Sequence, residues 1–296
     1  MPIITSRTRE NGRVKINYNL CTVCGICSSI CSMIVNENGK MVPKPDSFFG
    51  CFACGSCAAV CPRGAISIEG RCFSTKDLID LPREFASYEH MYGLMLKRRS
   101  TRNFQDKPVA SEIINKIILA AETAPMGIPP SDVKVLILDN KAKVREFAFD
   151  YLGAVEKMKW MFGLIKVLGI FMSKEKREAF KCFIIPLFQE LLKGKKQGLD
   201  YLFYDAPLAM YFYRTPYTED GDVMIAATYA MLASESLGLG SCMIGSVAPL
   251  IQRMPKWFKS KYGIINQDSG GIVVIFGHPK YKFQKAIKRT FAEVRK

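Results

Sequence analysis

Eight cysteines within the first 61 residues are the side chains whose type and spacing speak most directly of chemistry. They form two runs, Cys21-Thr-Val-Cys24-Gly-Ile-Cys27-Ser-Ser-Ile-Cys31 and Cys51-Phe-Ala-Cys54-Gly-Ser-Cys57-Ala-Ala-Val-Cys61-Pro62. Both follow the spacing C-x2-C-x2-C-x3-C, in which three thiolates two residues apart wrap one iron–sulfur cube while the fourth points to its neighbour. On that logic one [4Fe–4S] cluster takes Cys21, Cys24, Cys27 and Cys61, and the other takes Cys51, Cys54, Cys57 and Cys31. Gly25 and Gly55 sit inside the runs, where backbone amides can approach cluster sulfurs without a Cβ in the way. The competing reading is zinc, which normally takes four ligands in two pairs with a longer gap, and two matched runs of four fit that poorly. The N-terminus has no charged-then-apolar export pattern, since Met1–Ile4 runs straight into Arg7, Arg9 and Glu10. The runs therefore point to metal ligation in a reducing cytoplasm rather than to a disulfide framework.

Residues 10–75 resemble a bacterial two-cluster ferredoxin domain, with short strands expected at Val14–Tyr18 and Ala65–Ile68. Cys31 is followed by Ser32 rather than proline, a departure that leaves the ligand set intact. Such clusters move single electrons and transform no substrate. The remainder of the chain must say what the electrons are for.

The second concentration of chemistry is Lys97-Arg98-Arg99-Ser100-Thr101-Arg102. Three arginines and a serine within five residues offer forked donors and a hydroxyl to a dianionic phosphate. The bland alternative is a solvated basic helix end. Residues 76–90 read as a linker, and Met91, Leu94 and Met95 fall at helix spacing from about Tyr88. Ser111 is expected to cap a helix carrying Ile113, Ile114, Ile117, Ile118 and Ala121 on one face. Ala124-Pro125-Met126-Gly127 breaks that helix ahead of a strand at Val133–Leu138. An apolar helix follows at Val223–Leu237, then Gly240-Ser-Cys-Met-Ile244-Gly245, a buried strand at Gly271–Gly277, and a basic tail.

In this order the pieces resemble the nitroreductase family of flavoproteins. The motifs are Arg98 to Phe104, Ala124 to Gly127, Leu237 to Gly245, and Lys288-Arg289-Thr-Phe-Ala-Glu-Val294. The resemblance implies an α+β fold, a mainly antiparallel sheet wrapped by helices, and an intimate homodimer with FMN at its interface. It implies that Arg98, Arg99, Ser100 and Arg102 hold the phosphate and ribityl chain, with Lys288 and Arg289 completing the phosphate site. Pro125, Met126, Gly127, Ile244 and Gly245 would line the isoalloxazine ring. Ile128-Pro129-Pro130-Ser131 stands where many relatives carry an asparagine or a Gln-Pro-Trp run. The organisation expected is thus a ferredoxin-like domain at 1–76, a linker at 77–89, and a nitroreductase-like FMN domain at 90–296.

Residues 151–200 look like an insertion studded with lysines. Three readings stand: a helical lid or dimer-packing arm, a membrane-surface patch, or extra core. The most apolar stretch, Met158 to Ser173, is interrupted by Lys159 and Lys166 and is too short to span a bilayer. The net charge is +15, of which residues 1–80 contribute only nine Lys and Arg against six Asp and Glu. The excess in the remainder favours anionic ligands and acidic redox partners, and no nucleic-acid motif is present. Cys72, Cys182 and Cys242 read as small buried hydrophobes, and His90 and His278 as structural.

Together these features lead to an FMN-dependent oxidoreductase passing electrons from two [4Fe–4S] clusters to FMN. From there they would reach a small organic acceptor such as a nitro compound, a quinone or an activated alkene. No catalytic residue is named, because the flavin carries the chemistry. The donor would be a low-potential carrier such as ferredoxin or flavodoxin, or NAD(P)H. The rival readings are an electron carrier or redox sensor without substrate turnover, and a flavin-modifying or dehalogenating enzyme.

Overall fold

The computed structural model describes residues 3–44, 50–158, 173–264 and 270–295. The apolar runs Trp160–Ile165 and Val167–Met172, on which the lid and membrane-surface readings lean, lie outside these residues. Among the described residues no helix is long and apolar enough to cross a membrane.

The chain divides into two compact units. The first comprises Met1–Phe85 with two later segments, Met126–Val133 and Arg214–Asp222; the second comprises Ala86–Pro125, Lys134–Tyr213 and Val223–Lys296.

In the first unit β1 (Arg13–Ile16) is followed by α1 (Ile26–Ile30), β2 (Ile34–Glu37), β3 (Lys40–Pro43), α2 (Ser56–Ala59), β4 (Ile66–Gly70) and β5 (Phe73–Ser74). Strand β1 pairs antiparallel with β4, setting Val14 opposite Ile68 and Ile16 opposite Ile66. Strands β2 and β3 form a hairpin closed by Asn38 and Gly39, whose φ values of 51° and 76° suit the tight turn that right-twisted strands prefer. Helices of four and five residues are not stable alone. These two are held by a core of Ile34, Met41, Ile66 and Ile68, into which Cys27, Cys51 and Cys57 also pack.

The second unit opens with α3 (Tyr88–Lys97) and α4 (Ser111–Glu122), and continues through β6 (Lys134–Leu138) and α5 (Lys141–Lys157). Then come α6 (Lys174–Ala179) and α7 (Ile185–Lys196), joined by one π-helical turn at Phe180–Ile184. They are followed by β7 (Leu208–Tyr213), α8 (Asp220–Ser236), β8 (Gly240–Ile244), α9 (Ala248–Ile251), α10 (Lys256–Lys261) and β9 (Gly271–Gly277). The four strands form one antiparallel sheet in the order β6-β7-β9-β8, with Tyr211 opposite Val273 and Cys242 opposite Ile275. The central strands are buried along nearly their whole length, which is why they read as unbroken apolar runs. Phe147, Tyr151, Phe203 and Phe258 fill the main core, with ring contacts such as Phe147 to Phe258 at 5.2 Å. The fold is the α+β class expected for this part of the chain.

Two details differ from the sequence reading, and a third, at the ends of the expected insertion, agrees with its extra-core alternative. Helix α4 begins at Ser111 itself, with Ala110 at the N-cap and no side-chain cap, so Ser111 lies one position too late to cap it. The ends of the expected insertion belong to the core: Tyr151, Leu152, Ala154 and Val155 on α5 and Phe188, Leu191 and Leu192 on α7 are all buried. The lysines there face water while the apolar stripe packs inward. Of the three spare cysteines only Cys242 is buried; Cys72 and Cys182 are exposed.

Candidate functional site

The two cysteine runs fold alike. In each, the residue before the second cysteine and the glycine after it take positive φ: Val23 at 55° and Gly25 at 79°, Ala53 at 54° and Gly55 at 83°. A side chain with a Cβ adopts that region reluctantly. Alternation of this kind turns successive backbone N–H groups toward one point and makes a concavity for an anion, as in many iron–sulfur sites. Short helices α1 and α2 start directly after the two glycines.

The thiols cross over between the runs. One cavity of the first unit is lined by Cys21, Cys24 and Cys27 together with Cys61 of the other run. At the second position Cys31, Cys51 and Cys54 all act on Cys57. Burial first, and then those three neighbours, push the Cys57 thiol up to about 12. Burial likewise raises Cys27 and Cys51. Left as free thiols these groups stay protonated; bound cationic iron would draw them to thiolates. Among the described residues no three His, Cys, Asp or Glu side chains close around a single metal ion.

The same unit holds buried charges that lie in no motif, among them Arg71 and Asp132. Arg71 is 1% exposed and Asp132 is 5% exposed. Asp132 accepts hydrogen bonds from the Ser6 N–H at 2.7 Å, the Ser6 hydroxyl at 2.6 Å and the Thr215 hydroxyl at 3.2 Å. It thereby joins the N-terminal arm to both later segments. Met126 and Gly127 fall in one of these segments, where the Gly127 N–H donates to Asp222 at 3.1 Å.

In the second unit, Arg98 follows the last turn of α3 and is half-buried. Its proton affinity is lowered by burial first, then by the nearby Arg289 guanidinium, with Arg99 adding to it and Glu235 opposing. Three guanidinium groups therefore converge where Glu235 is the opposing charge, and Glu235 is also shared with Lys97 at 3.5 Å. An excess of cation of this kind fits a bound dianion such as a phosphate. The strand-like stretch after Arg98 is stitched to β8 by a bridge between Ser100 and Ser241 and by the Thr101 N–H donating to the Ser241 carbonyl at 2.9 Å. A cavity of about 630 Å³ beside it is lined by Lys97, Arg99, Thr101, Glu235 and Lys282, among others. A smaller one of about 180 Å³ is lined by Ser100, Arg102, Asn103 and Tyr281, among others.

The remaining residues implied by the resemblance are less gathered. Lys288 is exposed and lines neither cavity, and Pro125 is exposed in the turn after α4. Ile244 is buried at the end of β8, while Gly245 just beyond it has open space where a Cβ would stand. Glu235 was missed by sequence reasoning, since one carboxylate near the end of an apolar helix carries no spacing signal.

The nitroreductase family model matches residues 95–278, well over half of the chain. No curated protein matches the chain. Among solved structures, it is similar to a nitroreductase with bound FMN from Bacteroides fragilis, 18% identical over 70% of this chain and 98% of that one, with a TM-score of 0.49. A nitroreductase with bound FMN from Desulfitobacterium hafniense is 20% identical over 69% and 98%, with a TM-score of 0.47. An FMN-dependent nitroreductase from Clostridium difficile is 18% identical over 69% and 99%, with a TM-score of 0.41. On the family match, the chain belongs to the nitroreductase family and is a nitroreductase-like flavin oxidoreductase.

Proposed function

We propose that this flavin oxidoreductase uses FMN and is fed by two [4Fe–4S] clusters carried in the same chain, reducing a small organic acceptor. The acceptor class is a nitro compound, a quinone or an activated alkene. The observation that carries the reading is the crossed gathering of thiols, Cys61 joining the first run's three and Cys31 the second's. FMN, when bound, supplies a junction that accepts electrons singly and delivers them as hydride. The chain's own residues bind and orient it. Arg98, Arg99 and Arg289 neutralise the phosphate, assisted by Lys288, and Ser100 and Arg102 take the ribityl side. Pro125, Met126, Gly127, Ile244 and Gly245 are assigned to the ring by family resemblance.

The eight cysteines Cys21, Cys24, Cys27, Cys31, Cys51, Cys54, Cys57 and Cys61 hold the clusters. The donor is a low-potential one-electron carrier, ferredoxin or flavodoxin, whose acidic surface suits a chain of net charge +15. The setting is the cytoplasm, whose reducing poise suits free thiols. The protein acts as a homodimer. Helix α3 has no buried residue although it carries Met91, Tyr92, Met95 and Leu96, and Phe291 and Val294 of the tail are also exposed. Apolar surface of this extent on one chain is what a partner copy covers.

The test is anaerobic stopped-flow mixing of the cofactor-loaded protein with reduced ferredoxin and, separately, with NADH, followed by addition of a nitroaromatic or quinone. Faster bleaching of flavin by ferredoxin, and reoxidation by the acceptor, supports the reading. Equal or faster reduction by NADH overturns the choice of donor, and failure to reoxidise with any acceptor overturns substrate turnover.

A further inference from the structure

We propose that Arg71 raises the reduction potential of the cluster held by Cys31, Cys51, Cys54 and Cys57 above that of its partner cluster. The inference rests on the two-cluster reading above and assigns the two clusters unequal roles. Arg71 is among the largest fully buried side chains of the protein, at 1% exposure. Its Nε donates to the carbonyls of Phe52 and Pro129, both at 3.2 Å. Its Nη1 donates to the carbonyls of Ile3 at 2.7 Å and Glu10 at 3.0 Å, and its Nη2 to that of Pro129 at 2.6 Å. These partners are all neutral, so they satisfy the donors without cancelling the charge. A guanidinium keeps that charge under any ordinary condition.

Phe52 follows Cys51 directly, so the fixed charge lies against the loop of the second run. The backbone is bent to put it there. Arg71 and Cys72 both take left-handed conformations, with φ of 52° and 57°, immediately after Gly70 at 93°. Two consecutive non-glycine residues in that region persist only where the surroundings hold them, and such strain gathers at functional positions.

Reduction adds one electron to a cluster, and no bond breaks. A buried positive charge nearby stabilises that added negative charge, and charge and solvent exposure are the terms that set cluster potentials. At the first cluster the cation among the lining residues is Arg63, which is exposed and screened by water. An electron arriving from a one-electron carrier therefore settles on the second cluster first.

The test is an anaerobic redox titration of the full, cofactor-loaded chain followed by electron paramagnetic resonance. The wild type should show two midpoints. Arg71→Met should lower one of them and leave the other in place, while Arg71→Lys, which keeps the charge, should stay nearer the wild type. Loss of the higher midpoint in Cys54→Ser, but not in Cys24→Ser, assigns it to the second cluster without requiring Arg71→Met to fold. Unchanged midpoints in Arg71→Met, or loss of the higher midpoint in Cys24→Ser instead, overturns the inference. Iron analysis of the wild type separates the two levels: a chain without iron defeats the two-cluster reading itself, whereas a loaded chain with unaltered midpoints defeats only the role of Arg71.

Discussion

Arg98 sits half-buried among like charges, its proton affinity lowered by burial and by Arg289 and Arg99. A bound phosphate dianion would turn that repulsion into attraction, so the flavin should gain much of its hold here. Arg98→Ala is expected to weaken FMN binding by about 2 kcal/mol, roughly 30-fold in Kd, in fluorescence titration of the flavin-free protein. Unchanged affinity would remove Arg98 from the phosphate site. At this scale what the sequence offers comes in motifs: the arginine run and the cysteine runs stand out by their spacing. Glu235, Asp132 and Arg71 do not. Each is a single polar residue whose partners are remote in the chain, such as Ser6 and Thr215 for Asp132 and Ile3 and Pro129 for Arg71. Only folding brings those partners together.

Among the elements, β8 and the stretch after α3 are locked by a close approach at Gly240. A Cβ there would stand 2.6 Å from the Thr101 Oγ1 and 2.7 Å from its Cβ. Gly240→Ala must push Thr101 away and with it the neighbouring Ser100 and Arg102. We expect a stability loss of about 2 kcal/mol by denaturant unfolding, accompanied by weaker FMN binding. Gly221→Ala, where a Cβ meets nothing within 4 Å, should not destabilise the protein. Equal stability of the two variants would contradict the packing described. β6, β9 and α8 could be read from their apolar runs, whereas β7, an equally apolar run, and α5 were not anticipated. The ends of the insertion were legible only as one of three alternatives, extra core, because the lysines of α5 and α7 mask a stripe that is buried. Nor could the sequence show the grouping of Met126–Val133 and Arg214–Asp222 with the N-terminal unit, where bonds such as Ser6 to Asp132 and Thr215 to Asp132 span long sequence separations.

For the molecule as a whole, stability should depend on pH through the buried Tyr151 and the half-buried Tyr262 of the second unit. Burial pushes Tyr151 well above its ordinary value of 10.0, and its hydroxyl donates to the Ser246 carbonyl at 2.9 Å. Burial and the Asp150 carboxylate do the same for Tyr262. The folded state therefore holds these protons more tightly than the unfolded state. Their contribution is fully present below pH 10 and is lost as pH rises above it. Tyr151 alone should account for a loss of about 1.4 kcal/mol in all between pH 9 and 11, and Tyr151→Phe should remove that part of the decline in melts over this range. The same slope in the variant would mean the phenol is not buried in solution.

The claim on which everything else depends is that one chain carries both cofactor types. The most direct measurement is iron, acid-labile sulfide and released flavin per chain in anaerobically purified protein. About eight irons with one FMN are expected, two four-iron clusters and one flavin site per chain. One FMN with no iron would contradict the cluster assignment and leave a plain flavin enzyme. About eight irons with no flavin, even after FMN is added, would contradict the phosphate site at Arg98, Arg99 and Arg289.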